Sequence, residues 1–314
     1  MAVDRNDVDS VIVSSAEGEV RATQSFVHVL HECWKRPDLT ALEVLWRWIY
    51  GIPTLLLLWR IGHRILQSVS LDVMALETMT VTQPIKAAAT LAEAMSVLLP
   101  PVLGVAVWLA PLLLGIWVVW SSLGRTVVLL RMDKGLHARP LTLMGLQAMR
   151  VTALAAISGL WLLCLQWAAQ QTVTGPMGRG AEPNLVGYFA LAILATILVF
   201  VLWATISWGF SIAPLLAMLR NVGVVASLRG AYQLGPLKSK LVEINLVMGI
   251  VKVALVVLAL VFSSTPLPFE SVTTAAFLAT WWSIDGVLYL VASDFFHVAR
   301  LLGYLRLWQA YEKK

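Results

Sequence analysis

Long apolar runs, separated by short polar stretches, dominate the chain after its polar beginning. Six runs lie near residues 41–59, 98–120, 151–169, 185–210, 241–263 and 272–292. Five of them reach the roughly 20 residues that a helix needs to cross the hydrocarbon core of a bilayer. Backbone groups inside lipid must hydrogen bond within their own segment, so the runs predict helices. The predicted fold is all-α, a polytopic transmembrane helical bundle.

The first run decides whether the protein has six spans or five. Its uncharged part, Trp48 to Trp59, is short, as in segments that re-enter the membrane or lie at its surface. Arg47 and Arg60 stand at its two ends, where long basic side chains can extend toward water. We predict six spans, or five if residues 41–59 are re-entrant.

The distribution of basic residues favours six spans. With six, the odd-numbered loops and both termini lie on one side and carry most of the 23 Lys and Arg residues. The opposite side has Arg60, Arg64, Lys86 and Arg179. Because basic loops stay in the cytoplasm, both termini are predicted there, in a multi-pass protein of the inner (plasma) membrane.

Three regions follow from this topology. Residues 1–40 form a cytoplasmic tail with a short amphipathic helix, residues 41–293 form the transmembrane domain, and residues 294–314 form a cytoplasmic amphipathic helix. An apolar stripe on that last helix predicts contact with the membrane surface. The stripe consists of Val298, Leu301, Leu302, Leu305 and Trp308.

Tryptophan is abundant, with 14 residues. Trp120 and Trp208 fall near the predicted inner boundary of the membrane, and Trp59 and Trp167 fall near the outer one. This placement is typical of the aromatic belt at membrane interfaces.

Composition excludes several classes of protein. The chain is 59% hydrophobic and 13% charged, about half the roughly 25% charged share of soluble domains. Two cysteines exclude a disulfide framework, and the start, with Asp4 and Arg5, does not resemble a signal peptide. The net charge of +5 arises mainly beside apolar runs, so it indicates membrane insertion and no nucleic acid.

One pair of ionisable residues falls inside apolar runs. Lys252 and Asp285 each lie about 20 Å from the turn that joins the last two spans, if both are helical. Asn245 and Tyr289 share their helix faces. These four residues predict a polar seam, which either fixes helix register or couples transport to a proton or ion. Glu243, on another face, is expected near the headgroups or beside His297.

Other chemistry finds little support. His28, His31 and Cys33 are close in sequence, but a closed zinc site needs four ligands and nothing nearby completes it. We therefore predict no metal and no cofactor. Nucleotide-binding GxxxxGK[ST] and GxGxxG patterns and catalytic HExxH and GxSxG patterns do not occur. No catalytic residue is assigned.

The segment Asn221–Phe262 carries a resemblance. Ser227, Leu228, Arg229, Ala231, Tyr232 and Leu234 form an SLRxAYxL-like pattern ahead of a long apolar run. The segment resembles polytopic, six-span bacterial inner-membrane families without an assigned activity, in which a cytoplasmic helix leads into a span. The resemblance implies an integral membrane protein and transfers no catalytic residue.

Three functions remain open. The first is a structural, accessory or assembly role, with the bilayer and either a membrane-protein partner or further copies of the chain as partners. The second is transport of a small solute or ion through the polar seam, which would require helices broken near Pro53, Pro100, Pro101, Pro111 and Pro214. The third, an intramembrane enzyme, has the least support.

Overall fold

The computed structural model describes residues 22–70, 74, 84–235, 237–266 and 274–312, and all regular structure within them is helical. A π-helical turn, Gln170–Thr174, and a short turn, Gly175–Gly178, extend the fourth helix. Most of the predicted N-terminal tail lies outside the described residues. The α-helices are α1 Ala22–Lys35, α2 Pro37–Ser68, α3 Pro84–Met132, α4 Pro140–Ala169, α5 Leu185–Leu219, α6 Val224–Tyr232, α7 Leu237–Ser264 and α8 Ala275–Glu312.

Six helices are long and apolar enough to cross a membrane: α2, α3, α4 with its extension, α5, α7 and α8. The prediction of six spans is confirmed in this sense. The doubtful run, residues 41–59, belongs to α2, which has 32 residues and is about 48 Å long. Polar residues on both sides of the run continue the helix, so its length exceeds that of the uncharged stretch.

Prolines do not interrupt the spanning helices. Pro53 lies inside α2, Pro100, Pro101 and Pro111 lie inside α3, and Pro214 lies inside α5. Helix α3, with 49 residues, begins well ahead of the apolar run near residues 98–120 and continues through it. The broken helices that the transport hypothesis requires at these prolines are therefore absent from α2, α3 and α5.

The chain forms two compact units. The terminal unit comprises residues 1–44, 127–139 and 209–314, and the middle unit comprises residues 45–126 and 140–208. The most apolar 18-residue windows of the six spans are only 0–11% buried. In the terminal unit, buried apolar side chains are concentrated in α1, in the ends of α2, α3 and α5, and in the second half of α8.

The apolar stripe at the C-terminus belongs to this core. Helix α8 continues without a break from the last span, and Val298, Leu302 and Leu305 are at most 2% exposed. The predicted contact of this stripe with the membrane surface is corrected. Packing against protein removes the stripe from water, so it is not available to headgroups.

Helix α6 packs against the end of α5 within the terminal unit. A Cβ atom on Gly209 would lie 2.6 Å from the Tyr232 hydroxyl, so only glycine allows this close approach. Tyr232 belongs to the SLRxAYxL-like pattern, and α6 does lead into the spanning helix α7.

An aromatic cluster joins α2 and α3 within the middle unit. The Trp117 ring lies 5.7 Å from Trp46 and 5.1 Å from Tyr50, between ring centroids. The Trp120 indole donates to the Trp46 carbonyl at 2.7 Å, and the Tyr50 hydroxyl donates to the Leu113 carbonyl at 2.8 Å.

Two of the four predicted belt tryptophans have other roles. Trp120 belongs to this cluster, and Trp208 is buried in protein, whereas Trp59 and Trp167 are exposed as a belt requires.

Candidate functional site

A buried polar cluster in the terminal unit is the strongest candidate for a functional site. Glu43 lies in the second turn of α2, which begins at Pro37, a residue suited to the first turn of a helix. His297, Arg300 and Tyr304 are spaced i, i+3 and i+7 on α8, so they share one face. We call Glu43, His297, Arg300, Tyr304 and Asn245 of α7 the polar lock.

Hydrogen bonding fixes the protonation state of His297. Arg300 has only donor groups, and its NH2 lies 2.9 Å from His297 Nδ1, so Nδ1 must accept. The imidazole is therefore neutral, with its proton on Nε2. That nitrogen lies 3.6 Å from the Glu43 carboxylate, and both side chains are at least 92% buried.

Asn245 connects α7 to the lock. Its side-chain oxygen lies 3.5 Å from Arg300 NH1 and 3.4 Å from the Tyr304 hydroxyl, both of which can donate to it. Tyr304 is 1% exposed. The lock therefore joins α2, α7 and α8 through side chains whose polar groups contact one another.

This chemistry suits positioning better than reaction. Burying a carboxylate and a guanidinium is costly unless each is paired and hydrogen bonded. Arg300 holds the imidazole from one side and the carboxylate lies on the other, so only one tautomer of His297 fits. Such a set of mutually dependent contacts fixes the register of three helices.

A second set of polar contacts links α1, α2, α8 and the end of α3 within the terminal unit. The Arg306 guanidinium donates to both carboxylate oxygens of Glu32, and its Nε lies 3.0 Å from Oε2. Gln309 donates to Asp133 at 2.7 Å, and Arg131 lies 3.0 Å from Asp38. These contacts attach α1 and the end of α3 to the cluster's helices.

The Arg306 guanidinium lowers the pKa of Glu32 below its ordinary value of 4.5. A lowered pKa in the folded state means that the stabilisation is fully present above pH 4.5 and is lost as the pH falls through the folded value. Because Arg306 is half exposed, we expect a contribution of about 1 kcal/mol or less.

We therefore expect the melting temperature to fall on acidification below about pH 4.5, and less so for Glu32→Gln. Thermal unfolding in detergent, monitored by size-exclusion chromatography at pH values between about 6 and 3, measures the melting temperature. Glu93→Gln, on an exposed part of α3, should keep the wild-type pH profile. Equal acid sensitivity of wild type and Glu32→Gln would contradict the assignment.

Of the four residues of the predicted seam, Asp285 and Tyr289 line one cavity, whereas Asn245 and Lys252 lie elsewhere on α7. Asn245 belongs to the polar lock, and Lys252 is exposed on α7. The Asp285 carboxylate accepts a hydrogen bond from the Ser263 hydroxyl at 2.5 Å. Ser263 lies eleven positions after Lys252 on the same helix, about 16 Å away. Asp285 is thus level with Ser263 and not with Lys252.

The reason is the unequal length of the two helices at their turn. The indoles of Trp281 and Trp282 donate to the carbonyls of Phe262 and Ser263, at 2.8 and 3.0 Å. These carbonyls belong to the last turn of α7, beyond which no further helical turn supplies amide donors, although the Phe262 carbonyl also accepts from the Thr265 amide at 3.2 Å. Helix α8 therefore extends past the end of α7. The sequence-based prediction did not include this difference, and so it placed Lys252 and Asp285 at equal depths.

The weak metal candidates face different directions. Cys33 is fully buried, and this burial raises the pKa of its thiol, while His28 and His31 are exposed on α1. Within the described residues, no three His, Cys, Asp or Glu side chains come together in a group that could hold a metal ion.

Sequence reasoning missed the partner of His297. Glu243 was expected near the headgroups or beside His297. The structure places Glu43 beside His297 and leaves Glu243 exposed on α7. One signal was present: Glu43 is an acidic residue inside the first apolar run, a few positions ahead of its uncharged part.

Comparisons with known proteins add no relative. No family model, no curated protein and no solved structure matches the chain. The interpretation of the polar lock therefore depends on its geometry.

Proposed function

We propose that this protein is an accessory or assembly component of a bacterial inner membrane, with both termini in the cytoplasm and with a membrane-protein partner along its spans. The observation that supports this is the distribution of burial. The apolar windows of the spans are 0–11% buried, whereas the helix ends of the terminal unit pack into a core with a buried polar lock. A large uncovered apolar surface is available to lipid and to partner helices.

Side-chain contacts within the spans support this role over transport. The hydroxyls of Thr196, Thr205 and Thr280 each bond a carbonyl one turn earlier in their own helix. Ser122 and Ser283 do the same. Hydroxyls satisfied within their own helix offer few sites to a passing solute, and they are compatible with close helix association.

A transporter is the second candidate, and one observation favours it. A cavity of about 350 Å³ between α7 and α8 is lined by Asp285 and Tyr289. An ionisable residue beside a cavity within a span often marks the path of an ion or solute. Lys252 and Asn245 lie nearer the other end of the hairpin, where they would form the rest of that path.

Photo-crosslinking in native membranes tests the accessory role. A crosslinking amino acid at Ile197 or Leu198, which are 54% and 61% exposed on α5, should capture one membrane protein in stoichiometric yield. The same amino acid at Leu216, buried at the end of α5, is the matched control and should give no such adduct. Mild detergent extraction followed by mass spectrometry identifies the partner.

A solitary protein, or crosslinks to further copies of the chain alone, would overturn the accessory role. Flux assays in proteoliposomes would then compare wild type with Asp285→Asn. A flux that this substitution abolishes, in a protein that still folds, would identify a transporter.

A further inference from the structure

The cavity between α7 and α8 lies close to the turn of this hairpin, away from the polar lock. Its α7 wall consists of Leu255, Leu258, Ala259 and Phe262. The α8 wall consists of Trp281, Ile284, Asp285, Leu288, Tyr289 and Ala292. About 350 Å³ falls within the range of known small-molecule sites, and it is roughly twelve times the 30 Å³ share of one water molecule.

The lining combines one carboxylate with three aromatic rings. Asp285 accepts from Ser263 at Oδ2 and lies on the cavity wall. Phe262, Trp281 and Tyr289 contribute the rings, and the remaining lining residues are aliphatic. The Trp281 indole is held by its bond to the Phe262 carbonyl, so this part of the wall is fixed before a ligand enters.

This lining is complementary to one chemical class. A carboxylate in an apolar setting attracts a cation more strongly than the same carboxylate does in water. Aromatic rings stabilise organic ammonium groups through their negative faces, most strongly when water is excluded. Aliphatic walls accept a hydrocarbon chain. An anion would be repelled by the Asp285 carboxylate, and a neutral polar solute would lack the charge that complements it.

We propose that this cavity is a binding site for a lipophilic organic cation, an ammonium group carrying an alkyl or aromatic tail. The ammonium group contacts Asp285 and the surrounding rings, and the tail lies along Leu255, Leu258 and Leu288. The site is independent of the accessory role: it concerns the hairpin's own cavity, not the exposed faces of the spans.

Equilibrium binding to the full chain in nanodiscs of zwitterionic phosphatidylcholine tests this proposal. The probe is radiolabelled tetradecyltrimethylammonium, compared with the uncharged alcohol of the same chain length. We expect saturable binding of the cation and at least about tenfold weaker binding of the alcohol, because the alcohol lacks the charge that Asp285 recognises.

Two variants and two matched controls refine the test. Asp285→Asn removes the charge and should weaken cation binding about tenfold or more. Its control is Glu182→Gln, which removes an exposed carboxylate outside the cavity and should leave cation binding unchanged. Ala259→Phe fills the cavity and should also abolish binding, whereas Ala254→Phe, on an exposed part of α7 outside the lining, should not.

Equal binding of the cation and the alcohol to the wild-type protein would overturn the proposal, whether or not the variants fold. Unchanged cation binding by a folded Asp285→Asn protein would overturn it as well. Neither result would affect the crosslinking test of the accessory role.

Discussion

Replacement of Glu43 by alanine should lower the free energy of unfolding by about 3 kcal/mol or more. The carboxylate is 1% exposed and lies 3.6 Å from His297 Nε2. Its removal leaves a cavity and takes the carboxylate away from the His297 ring, which is 8% exposed. Removing one member of a buried polar contact costs more than the contact contributes as a whole, because the remaining polar group stays desolvated.

The same substitution at Glu93 provides the control. Glu93 is exposed on α3, so Glu93→Ala should change stability by about 0.5 kcal/mol or less. Unfolding of the purified protein by sodium dodecyl sulfate in mixed micelles, followed by tryptophan fluorescence, measures both variants. A Glu43→Ala protein as stable as Glu93→Ala would show that the polar lock does not hold the terminal unit together.

The second large effect is expected at Gly124, in the middle unit. A Cβ atom built on this residue would lie within 2.8 Å of three ring atoms of Trp46, far inside van der Waals contact. Trp46 also accepts the Trp120 indole at its carbonyl and packs on Trp117, so its ring has little room to move. Gly124→Ala should therefore destabilise the protein by about 1–3 kcal/mol.

A glycine on the same helix should respond in the opposite direction. A Cβ atom on Gly115 would meet nothing within 4 Å, so Gly115→Ala should stabilise α3 by up to about 1 kcal/mol through helix propensity. Thermal unfolding of the two variants side by side gives the comparison. If Gly124→Ala melts at or above the temperature of Gly115→Ala, the close contact with Trp46 does not restrict α3.

Local physics accounts for most of what the sequence predicted about the fold. A backbone in lipid has no solvent to bond with, so each apolar run had to become a helix, and the six runs did. Helix ends were harder to predict, because α2 and α3 continue well beyond their apolar runs into polar sequence. Hydropathy marks where a span can lie and carries no information on where the helix stops.

The candidate site shows the opposite balance. His297, Arg300 and Tyr304 share a helix face by spacing alone, but their partners Glu43 and Asn245 come from helices distant in sequence. The stripe from Val298 to Trp308 has the pattern of a membrane-surface helix and of a core helix alike. An amphipathic pattern states that one face avoids water and does not state whether lipid or protein covers it.

The sequence by itself determined the class of this protein, a helical membrane protein with six helices able to span a bilayer. Backbone groups in lipid must hydrogen bond within their own segment, and this requirement makes each apolar run a helix. The tertiary structure alone decided the register of the last hairpin. The cap that Trp281 and Trp282 place on α7 sets Asp285 level with Ser263. Register depends on contacts between side chains of separate helices, and these are specified only when the helices pack.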